Sequence, residues 1–330
     1  MRLVIAISLS AMLYGSASAG IMTTLLSLPG MADERPPATA ERHRIYVKTD
    51  AHEGPVVVPD QRRLYFTTVP DFGSDDTHIA IRYVDLETGA VATFKPRSNM
   101  ANGMSLSRDG TALLVAEQGT RDTPAAISRL RLSDGAREVV VDSFDGKPFN
   151  SPNKVIEAAS GMIYFTDPDY GYHQGFKDVP QLPMSVYAHD PQTGETTRLT
   201  TELARPHGIA LSPDERVLYL GDTDAIDGSS PYDPSRSHGI LSAPLLSPNE
   251  IGPLTEVLSV PVGIPDGFIV TEPDGELWVA AGDGLRRYSA DGSPIELLSI
   301  PGGAFNVARD GDVLYSTADT AIWRTRVKPE

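Results

Sequence analysis

Residues Ser151 to Tyr172 read SPNKVIEAASGMIYFTDPDYGY. The stretch is a Pro-Asn turn, a short apolar run, a small-residue turn, a second β-rich run and a polar loop. It sets an asparagine directly before a strand that carries the apolar marks of burial. One such asparagine decides nothing, but the chain repeats the phrase.

A turn holding a polar residue, a β-rich run, a tight turn and a second β-rich run recur six times. The copies begin EGPVVV at Glu53, NGMSLS at Asn102, SPNKVI at Ser151, RPHGIA at Arg205, IPDGFI at Ile264 and FNVARD at Phe305. Their polar residues, Glu53, Asn102, Asn153, His207, Asp266 and Asn306, are separated by steps of 49, 51, 54, 59 and 40 residues. That is the period of a propeller blade rather than of a βα unit. A second hairpin follows several copies, as in HIAIRYVDLETGAVATF and AISRLRLSDGAREVVV, with period-2 alternation around Thr-Gly and Asp-Gly turns. Two hairpins make four strands per blade. After the last copy the chain has only AIWRTRVKP left, whereas RHRIYVKTD stands before the first. The spacing therefore predicts an all-β, six-bladed β-propeller with four-stranded blades, its ring closed by the N-terminal strand so that no sheet edge is left open.

Composition limits the function classes. The 330 residues are 40% hydrophobic and 22% charged, as in a globular chain with a sizeable core. A net charge of -16 without a basic cluster argues against nucleic acid and anionic membrane as partners. The absence of cysteine excludes disulfides, thiolate metal sites and cysteine nucleophiles. Residues 1–19, with Arg2, an apolar run and Ala17-Ser18-Ala19, have the pattern of a secretory signal peptide. The mature chain is then expected in the periplasm or outside the cell. An uncleaved anchor reaching about residue 31 is the alternative, because IMTTLLSLPGM continues the apolar run. Residues 20–41 read as a linker and 42–330 as a single propeller domain.

In a propeller the innermost strand of each blade lines the central channel, so residues at one register position converge on a ring at one mouth. Glu53, Asn153, His207 and Asp266 are expected to meet there. Two carboxylates, an amide and an imidazole in a tunnel are costly without a cation, and a divalent metal offsets that cost. The oxygen donors suit Ca²⁺, the first expectation, while His207 admits Zn²⁺ or Mn²⁺. Asn102 and Asn306 share the register and are expected to line the pocket. The segment Tyr170 to Pro183 follows an inner hairpin and has the aromatic and polar mix of a lid, which makes Tyr172 and His173 expected substrate contacts.

At these residues the sequence resembles the gluconolactonase and regucalcin (senescence marker protein) family, most closely its fungal-type lactonohydrolases. The carriers are EGPV at Glu53, FNSPNKV with FTDPDYGYHQGF from Phe149, RPHGIALSPDERVLYLGDTD from Arg205 and GIPDGFIVTEPDGELWVAAGDG from Gly263. The resemblance implies a six-bladed propeller hydrolysing sugar-type lactones with one divalent metal. Glu53 and Asp266 match metal-binding acids, Asn153 matches the Asn of the Ser-Pro-Asn motif, and Asp266 matches the usual general base. Two positions depart from the pattern: His207 stands where the family has Asn, and Lys154 where it has Asp. The second departure makes Lys154 a further expected substrate contact. The expected activity is hydrolysis of an aldonolactone. The alternatives are an arylesterase or organophosphate triesterase on the same metal, and a non-catalytic ligand-binding propeller. No G-x-S-x-G context supports a serine nucleophile.

Overall fold

The computed structural model describes residues 42–72, 77–226 and 231–327. The expected signal peptide, the alternative anchor and the linker lie outside the described residues. Among the described residues the chain forms six antiparallel sheets arranged as blades, five of them built from strands consecutive in the chain, in order from the axis outward. The first blade runs Ala51–Val58, Arg63–Thr68, Ile81–Asp85 and Val91–Lys95. The sixth runs Asn306–Asp310, Val313–Thr317 and Ile322–Arg326, and takes its outermost strand, His43–Val47, from the N-terminal side. The ring thus closes as the sequence predicts, and the Arg42 guanidinium fastens the seam to Glu296 at 2.6 and 3.0 Å and to the Arg326 carbonyl.

The core lies between blades rather than within them. Val56, Tyr65 and Ile81 of the first blade pack against Leu113, Val115 and Leu130 of the second, and Trp278 and Leu285 of the fifth against Val307 and Leu314 of the sixth. Alternation supplies both faces, because successive side chains of a strand point to opposite sides and each blade is covered by two neighbours. The fourth blade has the longest step because a loop precedes its third strand, Gly239–Ser247, which also pairs with a short strand at Glu250–Ile251. Among the described residues no helix is long and apolar enough to cross a membrane.

Two glycines set the axial ring. Gly54, at φ +56°, sits where the register of the first blade's inner pair shifts on both sides of Glu53, a bulge that re-aims the strand. Gly103 lets the second and third blades meet: its N–H donates to the Asn153 carbonyl at 2.8 Å. A Cβ at that position would stand 2.5 Å from that same oxygen. We expect Gly103→Ala to cost about 1–3 kcal/mol in chemical denaturation, because the clash is with backbone that cannot turn aside. A cost near zero would mean that the two inner strands are not held this close.

Candidate active site

Buried threonines bind the first and third blades to the axial residue of the next. The Thr67 hydroxyl donates to the Asn102 carbonyl at 3.1 Å, and the Thr166 hydroxyl donates to the His207 carbonyl at 2.7 Å. Buried aspartates hold the turns that precede the inner strands. Asp167 accepts the N–H groups of Asn150 and Ser151 at 3.0 and 2.8 Å, and Asp222 those of Ala204 and Arg205 at 3.0 and 2.8 Å. Burial pushes the Asp167 carboxyl up to about 7 in spite of those two donors. These contacts pin from behind the turn that leads into Asn153, whose side chain is buried.

Glu53, His207 and Asp266 do converge, each with a potential ligand atom within 4.8 Å of the others. Glu53, Asn153 and His207 are 2%, 2% and 5% exposed. His207 Nδ1 lies 3.0 Å from the Asp266 backbone carbonyl, which only accepts, so Nδ1 carries the hydrogen. That leaves the Nε2 lone pair facing Asp266 Oδ1 at 3.3 Å, the tautomer a metal-ligating histidine has when its other nitrogen donates to a carbonyl.

The charges are uneven. Burial would raise the Glu53 carboxyl, but the Lys154 ammonium bonded to it outweighs burial and holds it at about 2. Burial, then the Lys154 charge, hold the His207 imidazole at about 3, so it is neutral near pH 7. Burial and the Glu53 charge push the Asp266 carboxyl well above its ordinary range. Asn306 donates from Nδ2 to Glu53 Oε2 at 2.8 Å, so it grips the carboxylate rather than only lining the pocket.

Oδ1 of Asn102, of Asn153 and of Asp266 is in each case buried with no hydrogen-bond partner. All are acceptors. Unpartnered buried acceptors beside a second carboxylate are what a divalent cation satisfies, so Glu53, Asn153, His207 and Asp266 fit such an ion in chemistry and burial.

Of the expected substrate contacts, Asn102 and Lys154 are buried in the ring. Tyr172 is 46% exposed with its ring against His173, and His173 pairs with Asp169 at 3.2 Å. The same turn, a short helix at Tyr170–His173, places Tyr170 edge-on over His207 with ring centroids 5.6 Å apart. The sequence reading missed Tyr170, because alternate residues of one helical turn differ in burial and nothing in the local pattern says which faces inward. Farther along, Phe176 packs with Ile79 and Met100 and stacks on Phe72, so the segment reaches from the third blade to the first two across the mouth.

Comparison with known proteins agrees with this geometry. The chain is 32% identical over 234 residues to a gluconolactonase of Zymomonas mobilis, an alignment covering 69% of this chain and 63% of that protein. The chain therefore matches somewhat less than two thirds of that relative's length. It is 28% identical over 303 residues to the lactonohydrolase oryL of Aspergillus oryzae, covering 84% and 67% of the two chains. Among solved structures, the gluconolactonase XC5397 of Xanthomonas campestris superposes with a TM-score of 0.74 at 28% identity, covering 86% of this chain and 89% of that one. Residues 51–318, from the first inner strand into the last blade, match the model described as SMP-30/Gluconolactonase/LRE-like region, and the chain belongs to that family.

Proposed function

We propose that this protein is a lactonase, hydrolysing sugar-type lactones at the axial ring with the aid of one divalent cation. The observation that carries the reading is the convergence of Glu53, His207 and Asp266 within 4.8 Å; the buried amide oxygen of Asn153, which has no hydrogen-bond partner, supports it. The similarity to proteins named gluconolactonase and lactonohydrolase supports the substrate class. Ca²⁺ is the first candidate on the oxygen donors; the neutral His207 keeps Zn²⁺ and Mn²⁺ as the others.

Glu53, Asn153, His207 and Asp266 would hold the ion, which supplies Lewis-acid polarisation of the lactone carbonyl when bound. The rest is done by the chain. Asp266 accepts a proton from the attacking water; burial and the Glu53 charge push this carboxyl toward its neutral form, and the bound cation would offset that push and keep it ionised for the role. His207, its ring fixed by the bond from Nδ1 to the Asp266 carbonyl, turns the Nε2 lone pair to the same space as Asp266 Oδ1, where both would serve as donors to the ion. Tyr170 and the segment crossing the mouth exclude bulk water. Tyr172 and His173 stand on that segment as the proposed contacts to the sugar hydroxyls.

The test is proton release from D-glucono-1,5-lactone by purified protein, before and after chelation, with Ca²⁺, Zn²⁺ and Mn²⁺ added back. Hydrolysis that falls on chelation and returns with one ion is expected. Activity insensitive to chelation would remove the metal, turnover confined to aryl esters or phosphotriesters would change the substrate, and hydrolysis of none of these would leave a binding propeller.

A further inference from the structure

In four blades the axial residue is followed by glycine: Gly54, Gly103, Gly208 and Gly267. In the third blade the corresponding residue is Lys154. Its backbone is tied within its own blade, since its N–H donates to the Thr166 hydroxyl at 3.1 Å. Its side chain brings a four-carbon stem and an ammonium into a ring whose other members are acids, amides and an imidazole.

The stem is held in place. It lies over Gly103, where a Cβ would come within 2.5 Å of Lys154 Cδ, and the side chain is 9% exposed. The ammonium donates to Glu53 Oε2, the atom that also accepts from the Gly54 N–H at 3.1 Å and from Asn306 Nδ2 at 2.8 Å. Three donors therefore converge on one oxygen of a carboxylate that the proposed ion requires.

We propose that Lys154 is a tethered rival of the divalent ion for Glu53, so that this chain binds such ions far more weakly than the same ring would without the lysine. The inference rests on the metal reading above. An ammonium has three donors and no lone pair, so it does not ligate. An arriving cation either displaces it from Glu53, which requires repacking the stem at Gly103, or sits beside a like charge in a site of low dielectric. Both routes lower affinity. The affinity of an oxygen-donor site follows the number of charges its ligands present, and Lys154 cancels one of them.

Calorimetric titration of the full chain with CaCl₂, MnCl₂ and ZnCl₂ tests this, comparing wild type with Lys154→Met and Lys154→Arg. Methionine keeps an apolar stem over Gly103 and removes the charge. It is expected to tighten the best-bound ion by about a hundredfold, whereas arginine, which keeps the charge, is expected to leave binding as weak as in wild type. A thermal melt establishes that each variant is folded, and Lys154→Gln replaces methionine if that variant is not. Equal affinities in wild type and the neutral variant would overturn the rivalry and leave the metal reading standing. No binding of any ion by any of these proteins, together with lactone hydrolysis that survives chelation, would overturn both.

Discussion

Asp266→Asn is expected to lower kcat toward a lactone by about 10²–10⁴-fold, the usual contribution of a positioned general base, while the melting temperature stays near wild type. The separation of the two effects follows from the site. Without the ion, burial and the Glu53 charge push Asp266 toward its neutral form, so a neutral amide of the same shape suits the folded chain; only with the cation bound would the carboxylate be ionised and able to act as the base. Its backbone carbonyl, which holds His207 Nδ1 at 3.0 Å, is untouched. What the variant loses is the capacity to take a proton. Steady-state kinetics with a thermal melt on the same preparation distinguish the outcomes, and a kcat near wild type would move the base to another residue.

Glu53→Gln, unlike Asp266→Asn, is expected to damage stability as well as activity. Glu53 is 2% exposed and Lys154 7%. Removing the carboxylate leaves a buried ammonium without a counter-charge, a loss that generally costs about 3–5 kcal/mol. The Asn306 amide and the Gly54 N–H lose a charged acceptor at the same time. Adding Lys154→Met should restore most of the stability but none of the turnover, because the lone charge is then gone while the ligand is still missing. Denaturant titration of the two single variants and the double variant gives the coupling between them. Additive costs would show that Glu53 and Lys154 do not interact as the structure places them.

The architecture was legible because blade periodicity is written in steps of 40 to 59 residues and needs no single strand to be assigned correctly. The closing strand was legible as well, since the last repeat lacked a partner that RHRIYVKTD supplied. Register alone brought Glu53, His207 and Asp266 to one ring, which the structure bears out. It could not show the bond between Lys154 and Glu53. Those residues are 101 positions apart, in blades separated by a third, and they meet only because Gly103 leaves space for the lysine stem. Nor could it distinguish Tyr170, which faces His207, from Tyr172, which faces solvent, two residues later on the same turn. Convergence follows from symmetry and can be read from spacing; side-chain direction within the ring follows from packing between blades, which spacing does not carry.

The central claim is that the axial ring holds a divalent ion. Crystals soaked in millimolar MnCl₂ and measured for manganese anomalous scattering address it most directly, because the concentration overcomes the competition from Lys154. One strong peak is expected on the axis between Glu53, Asn153, His207 and Asp266, with the Lys154 ammonium either moved off Glu53 or left beside the ion. No peak on the axis, or manganese bound only at acidic patches on the outer strands, would contradict that claim.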